Sequence, residues 1–260
     1  MTGNGTRSAG QGLVAGITLG AFPEFSVMAV PSQTDLETAL GTARELASQW
    51  PAFITERLPE PALAHLPELA IAAALAWGAG LRLYFIVFAF GLAGALGYWD
   101  LPAHLEVLQN PLVIGAAGLM AVVELFADKV PILDSVWDAA HTFIRIPAGA
   151  SLAAATFGDS GAAVALAAAL LGGTVTAVTH LGKSGGRAAI NTSPEPFSNV
   201  AMSVAEDVAV LGGGWIAINY PAVFIVLLVV FLVVLVVLLG AILRGIKRLR
   251  RSRPWQRFRA

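Results

Sequence analysis

Residues 208–243 contain no Asp, Glu, Lys or Arg. A helix needs about 20 consecutive apolar residues to cross the hydrocarbon core of a bilayer. The run therefore holds one complete span, assigned to residues 220–243, and the turn before it. In lipid, backbone N–H and C=O groups find no water, so only helices and closed barrels can span. Apolar runs this long exclude the short alternating strands of a barrel. The fold class is therefore all-α: a polytopic helical membrane protein, with about five to six transmembrane helices at the length a span requires. Composition agrees, since 57% of the residues are hydrophobic and 13% charged, against about 45–50% and about 25% in a soluble domain.

The net charge of -1 hides an asymmetry. Half of the 16 basic residues follow Leu243, and no acid follows Asp207. A basic segment beside an apolar span reads as cytoplasmic by the positive-inside rule, and it suits anionic lipid headgroups. With no folded module around it, it does not read as a nucleic-acid binder. The same rule puts Lys129, the Lys183–Arg187 loop and the start of the span after Arg82 on the cytoplasmic side. The loops near Asp100 and Asp159, which lack Lys and Arg, fall outside. The chain has no Cys, which removes disulfides, thiolate metal sites and a Cys nucleophile.

Four regions follow. Residues 1–33 are Gly-rich and read as a flexible or interfacial segment, since the apolar stretch 12–22 is too short and badly flanked for a secretory signal. Residues 34–58 read as an amphipathic helix, with Thr34 and Glu37 spaced as a capping box and Leu36, Leu40, Ala43, Ala47, Trp50 and Ile54 at helical intervals. Residues 66–243 form the transmembrane domain, and 244–260 a basic cytoplasmic tail. Within the domain, residues 69–99 are apolar except for Arg82 and too long for one upright helix. Gly78 and Gly80 beside Arg82 predict either a broken span or a short re-entrant piece followed by a full span. Further spans are assigned to 111–127, 135–157, 162–180 and 199–218. Small residues between Gly149 and Gly173 predict close helix packing, and the bulky last span predicts a lipid-facing helix.

Two polar hairpins interrupt this apolar pattern. In the first, Glu124 and Asp128 are four apart, and Asp134, Asp138, His141 and Arg145 recur at i, i+4, i+7 and i+11, one stripe on a helix. Each ionisable group at membrane depth costs at least about 2.5–3.5 kcal/mol, so such groups usually face a bundle interior or an aqueous cavity. The second hairpin carries His180, Lys183 and Arg187, then Asn191, Glu195, Asn199, Ser203, Glu206 and Asp207. Its Gly-rich stretch with Lys183 and Arg187 reads as a turn that cradles an anion through backbone N–H groups, although it lacks the Walker spacing. Both hairpins fall on one side of the topology and are predicted to meet in one site. Bland readings stand beside this one. Asp128 and Lys129 make a loop ion pair, Asp134 a helix cap, Asp138 and Arg145 a structural ion pair, and Arg187 a topology determinant.

Residues 126–150 and 191–210 resemble the signature segments of a bacterial integral-membrane family known as domain of unknown function 4126. The likeness covers about residues 66–239 and leaves out both the first 65 residues and the basic tail. Gly80-Leu81-Arg82-Leu83-Tyr84 fits a further family element in the first span. The resemblance implies a multi-span protein of the bacterial inner membrane and supplies no mechanism.

Three functions fit these residues. The leading one is a transporter or channel-like protein, possessing a polar path of Asp128, Asp134, Asp138, His141 and Glu206 that relays protons or binds a cation. Arg82, Arg145, Lys183 and Arg187 would balance its charge or hold an anion. The second is an enzyme acting on a lipid phosphate, with a divalent cation on Asp128, Asp134, Asp138 and Glu206, the phosphate on Lys183 and Arg187, and His141 as acid or base. The carboxylate spacing matches no phosphotransferase motif, which weighs against it. The third is an assembly factor that holds partners through its small-residue faces. The bilayer is the one partner composition requires; homo-oligomerisation stays open.

Overall fold

The structure is a computed structural model that describes residues 64–128, 131–190 and 197–251, together with residues 34, 37, 38, 41 and 45. Those five belong to a separate unit, residues 1–46, and are helical. The rest of the proposed amphipathic helix, residues 1–33 and most of the basic tail lie outside the described residues.

Six α-helices make up the described part of the second unit: α1 Leu66–Ala95, α2 Pro111–Ala127, α3 Pro131–Thr156, α4 Ala162–Ile190, α5 Phe197–Asn219 and α6 Pro221–Arg251. A 3-10 helix, Ala103–Gln109, leads into α2. Local chemistry sets these bounds. Proline stands in the first turn of α1 and opens α2, α3 and α6, where its missing N–H costs nothing. Asn110 caps α2, its side chain accepting from the Leu112 N–H at 2.9 Å. At the end of α1, Gly97 takes φ +73°, the Tyr98 N–H donates to Ala93 O and the Gly97 N–H to Gly94 O. This is the Schellman arrangement, which needs a left-handed residue after the helix.

Four helical stretches have the length and apolarity to cross a membrane: Leu66–Ala95, Ala162–Ala188, Val200–Asn219 and Pro221–Ile242. The 3-10 helix and α2, bent by 64° against each other, pass the same test as a pair. The chain is an all-helical, polytopic membrane protein, as its apolar runs predict. α3 is absent from this set because Asp134, Asp138 and Arg145 fall within its first fifteen residues. Asp138 and Arg145 are tolerated because α3 packs most extensively of all against α4. The small-residue faces make that contact close. A Cβ at Gly172 would meet Ala153 Cβ at 2.4 Å, and one at Gly173 would meet Ala150 Cβ at 3.3 Å. α6 is the opposite case, with only 17% of its span buried.

α1 is the element that organises the bundle, and it packs against every other helix. Its backbone leaves helical geometry at Arg82, with φ -147° and ψ 76°, and there the chain turns back on itself. A Cβ at Gly78 would lie 3.1 Å from Ile86 Cβ, whereas eight residues of straight helix would separate the two by about 12 Å. Trp77 in the first arm and Phe90 in the second touch consecutive residues of α5, Gly213 and Gly214. His65, Glu68 and Ile71 share a cavity with Asp100 and Leu101, so both ends of α1 lie at one end of the bundle. α1 is thus a re-entrant helical hairpin. The break stands where both expectations put it, but a through-going broken span and a full span after a short re-entrant piece are both corrected: residues 83–95 return towards the end from which α1 entered. Gly78 permits this, because only a residue without a side chain lets the arms meet at Ile86.

The loops sort into two groups. His104 lies 3.4 Å from Asp159, so the loops after α1 and α3 share an end. Asp128 lies 3.2 Å from Arg187, so the end of α2 and the end of α4 meet at the other.

Candidate functional site

The break in α1 creates the chemistry around it. Where the helix stops, its last carbonyls lose their intrahelical donors and need others. Arg145 of α3 supplies one set, its Nη1 donating to Gly80 O at 3.3 Å and Leu81 O at 3.2 Å. Lys183 of α4 supplies the other, donating to Leu81 O at 2.9 Å. Two cations from different helices therefore cap the hairpin's first arm. Gly80 allows the approach of α4, since a Cβ there would meet Thr179 Cβ at 2.7 Å.

Arg82, at the hairpin tip, is 1% exposed. Its Nη1 lies 2.5 Å from Asp128 Oδ2, and its Nε 3.0 Å from Asp207 Oδ1 and 3.4 Å from Glu206 Oε2. Its Nη2 donates to the Ser203 hydroxyl at 2.6 Å and the Ser203 carbonyl at 3.1 Å. Arg187 reaches the same carboxylates, contacting Asp128 Oδ2 at 3.2 Å and Glu206 Oε2 at 2.9 Å. Lys183 Nζ stands between them, 3.3 Å from Glu206 and 3.5 Å from Asp128. Arg145 Nη2 pairs with Glu124 at 2.5 Å and its Nη1 approaches Asp138 at 3.5 Å. Ser184 donates to Asp138 Oδ2 at 3.2 Å.

Five carboxyl groups (Glu124, Asp128, Asp138, Glu206 and Asp207) thus meet four basic side chains (Arg82, Arg145, Lys183 and Arg187), a formal excess of one negative charge when every group is ionised. All but Asp207 are buried, and the Asp207 side chain is 26% exposed. Desolvating an ion costs several kcal/mol even after relaxation, which only good pairing repays. Glu124 Oε2 and Arg145 Nε lack a hydrogen-bond partner among the described residues, although their own ion pair is short.

Two histidines flank the network, and their partners fix their tautomers. His141 Nδ1 lies 2.8 Å from Trp137 O, a pure acceptor, so Nδ1 carries the proton and Nε2 accepts from the Tyr84 hydroxyl at 3.2 Å. Trp137 stacks on the same ring at 4.0 Å. His180 is reversed. Its Nδ1 faces Arg145 Nη1 at 3.3 Å, a pure donor, and its Nε2 lies 2.8 Å from Thr142 Oγ1. The Thr142 hydroxyl spends its own proton on Asp138 O at 2.9 Å, so His180 Nε2–H donates to it. A second proton on His180 would point at a guanidinium. A second proton on His141 requires only that the Tyr84 hydroxyl rotate.

Of the residues singled out in the sequence, Arg82, Asp128, Asp138, His141, Arg145, Lys183, Arg187, Glu206 and Asp207 converge here. Lys129, Asn191 and Glu195 lie outside the described residues. Asp134 and Asn199 are helical, and their side chains lie outside the described ones. The Gly-rich anion-cradling turn is corrected: residues 182–187 are continuous helix within α4. Gly182 serves packing instead, since a Cβ there would meet Leu235 of α6 at 2.4 Å. Lys183 and Arg187 are likewise buried side chains rather than loop charges. Glu124 and His180, carried by the two polar hairpins but given no role there, join the site. Tyr84 joins it from outside both hairpins, and nothing local signals it.

Among the described residues, no three His, Asp or Glu side chains stand together as a metal-binding group. Of the set Asp128, Asp134, Asp138 and Glu206 expected for a divalent cation, the three described side chains lie against basic groups. Asp128 and Glu206 are engaged by Arg82, Lys183 and Arg187, and Asp138 lies between Arg145 and Lys183.

No curated protein and no solved structure matches the chain. The family model described as Domain of unknown function (DUF4126) matches residues 69–241, a stretch that holds all but the first three residues of the re-entrant hairpin and every residue of the charge network. The chain belongs to that family.

Proposed function

We propose that this protein is a membrane transporter or channel-like protein that moves a proton or small cation through the charge network at the hairpin tip. The observation that carries the reading is the meeting of five carboxylates and four cations at the break of a central helix. Ionisable groups at membrane depth mark ion and proton pathways by default, and broken helices are where transporters build such sites. The excess negative charge defines what the network accepts: one proton or one monovalent cation makes it neutral. Asp207 is the entry point in this reading. It is the most exposed of the five carboxylates, and with Arg82 it lines a groove of about 180 Å³ against Phe85, Phe88 and Leu125. Neutralising Asp207 frees Arg82 towards Asp128 and Glu206, which couples the hairpin tip to the bound charge. His141, able to take a proton by rotation of Tyr84, forms the second station.

In the membrane, the end of the bundle bearing Asp128, Arg187 and the basic tail faces the cytoplasm by the positive-inside rule. The tail would rest on anionic headgroups of a bacterial inner membrane.

The test is flux in proteoliposomes under an imposed membrane potential, read with an internal pH dye and with K⁺ and Na⁺ in turn. The wild type is expected to pass one of the three cations above empty vesicles. Asp138→Asn, which cancels the excess charge, should lose that flux while keeping its helical content, and Asp159→Asn at the far end should keep it. Wild-type flux equal to that of empty vesicles for all three cations refutes transport and puts the assembly reading first.

A further inference from the structure

The groove at Asp207 has a chemistry of its own, apart from any ion that crosses the bundle. It lies between the second arm of α1, α2 and α5, and its walls are hydrocarbon: Phe85, Phe88, Ala121, Val122 and Leu125. Gly118 lets Phe88 lie against α2, since a Cβ there would meet the ring at 3.0 Å. Val122 on the α2 wall is 51% exposed, so the groove opens at the surface. Arg82 and Asp207 are its only polar side chains among the described residues.

Those two differ in what they can offer. Arg82 is 1% exposed, and its nitrogens are engaged by Asp128, Ser203, Asp207 and Glu206. The Asp207 side chain is 26% exposed, and its contact among the described residues is made by Oδ1, 3.0 Å from Arg82 Nε. Its Oδ2 has no partner there and is not among the enclosed orphan atoms, as Glu124 Oε2 is. The groove thus presents one open carboxylate oxygen beside apolar walls.

That combination selects its ligand. An anion is repelled. An inorganic cation would exchange its water shell for a single oxygen, where hard cations take several. A neutral apolar molecule fits the walls and leaves the carboxylate unpaired, which is costly. A protonated organic amine meets both demands. Its N–H groups donate to Oδ2 in a charge-assisted hydrogen bond, its body lies on hydrocarbon, and the Phe85 and Phe88 rings add cation–π attraction. Its single positive charge also balances the formal excess of the network. An apolar cavity of about 150 Å³ holds one benzene, so the roughly 180 Å³ here suits one ring or a short chain.

We infer that the α1–α2–α5 groove binds one compact protonated amine, its ammonium on Asp207 Oδ2 and its apolar body against Phe85, Phe88 and Leu125. An amine seated there covers the Asp207 entry to the network. The binding belongs to the groove and does not depend on transport.

The test is equilibrium binding of radiolabelled benzylammonium to the full chain in nanodiscs, against empty nanodiscs. Saturable binding of one per chain is expected. Benzyl alcohol has nearly the same shape without the charge and should compete at least about tenfold more weakly, the order one charge-assisted hydrogen bond supports. Asp207→Asn should weaken benzylammonium binding by a similar factor. Ala121→Phe places a ring in the groove and should abolish it. Ala116→Phe, exposed on the same helix outside the groove, should leave it unchanged. Circular dichroism confirms that each variant keeps its helices. Binding no greater than in empty nanodiscs, equal competition by benzyl alcohol, or binding that survives both Asp207→Asn and Ala121→Phe overturns the inference. Cation flux without saturable benzylammonium binding overturns this inference alone, and binding without flux supports it while refuting transport.

Discussion

Arg145→Met removes the guanidinium that caps the hairpin's first arm and neutralises Glu124. Three losses follow in the structure. Gly80 O loses its side-chain donor from α3, Leu81 O keeps only Lys183, and Glu124, 0% exposed, is left with its charge and no close partner. Breaking a buried pair from one side costs about 3–5 kcal/mol, most of it the uncompensated charge. Glu124→Gln alone should cost less, because Gln still accepts from Arg145. The double variant should be more stable than the sum of the singles predicts, since no charge is stranded, with a coupling of about 1–3 kcal/mol for residues in direct contact. Equilibrium unfolding in bicelles, followed by circular dichroism, measures all three variants against the wild type. If Arg145→Met costs under about 1 kcal/mol, as an exposed ion pair would, the burial argument fails. If the double variant costs the full sum of the singles, the Glu124–Arg145 contact is not what holds Arg145.

Gly149→Leu should destabilise the bundle by more than the about 1–3 kcal/mol of ordinary overpacking, because its Cβ would collide with the Thr176 hydroxyl; Gly115→Leu, with nothing near, should fall within about 0.5 kcal/mol of the wild type. Nitrogen-15 spectra of histidine-labelled protein at neutral pH should show His141 with its proton on Nδ1 and His180 with its proton on Nε2; an imidazolium signal from His180 would contradict its contact with Arg145. Arg82→Lys should weaken the hairpin tip despite keeping the charge, since one ammonium cannot span Asp128, Asp207 and Ser203 together; a variant as heat-stable as the wild type would show that the fork geometry is dispensable.

The parts of this structure legible in the sequence are those with a local signature. The charge-free run 208–243 announces α6. The stripe of Asp138, His141 and Arg145 announces an inward face on α3, and the Gly78, Gly80 and Arg82 combination announces the break in α1. What the sequence hides is the partner of each charge. Arg82 meets Ser203 across 121 positions, and Lys183 meets Leu81 across 102, and no spacing rule reaches that far. The anion-cradling turn is misread for a related reason. Glycines between charges look like a turn in water, but in a membrane bundle they let helices touch, as Gly182 does for Leu235. The return of α1 after Arg82 is also non-local. Residues 83–99 continue the apolar run of the first arm, and only the packing of 83–95 on Gly78 and α5 shows that they turn back.

Everything proposed for the network rests on that return. The chain has no cysteine, so single cysteines can be placed without altering a background. The decisive measurement is labelling of Glu68→Cys and Asp100→Cys in sealed vesicles of one orientation with a membrane-impermeant maleimide. The re-entrant hairpin predicts that both react from the same side. Reaction from opposite sides would make α1 a through-going span and would contradict the placement of Arg82 at a hairpin tip.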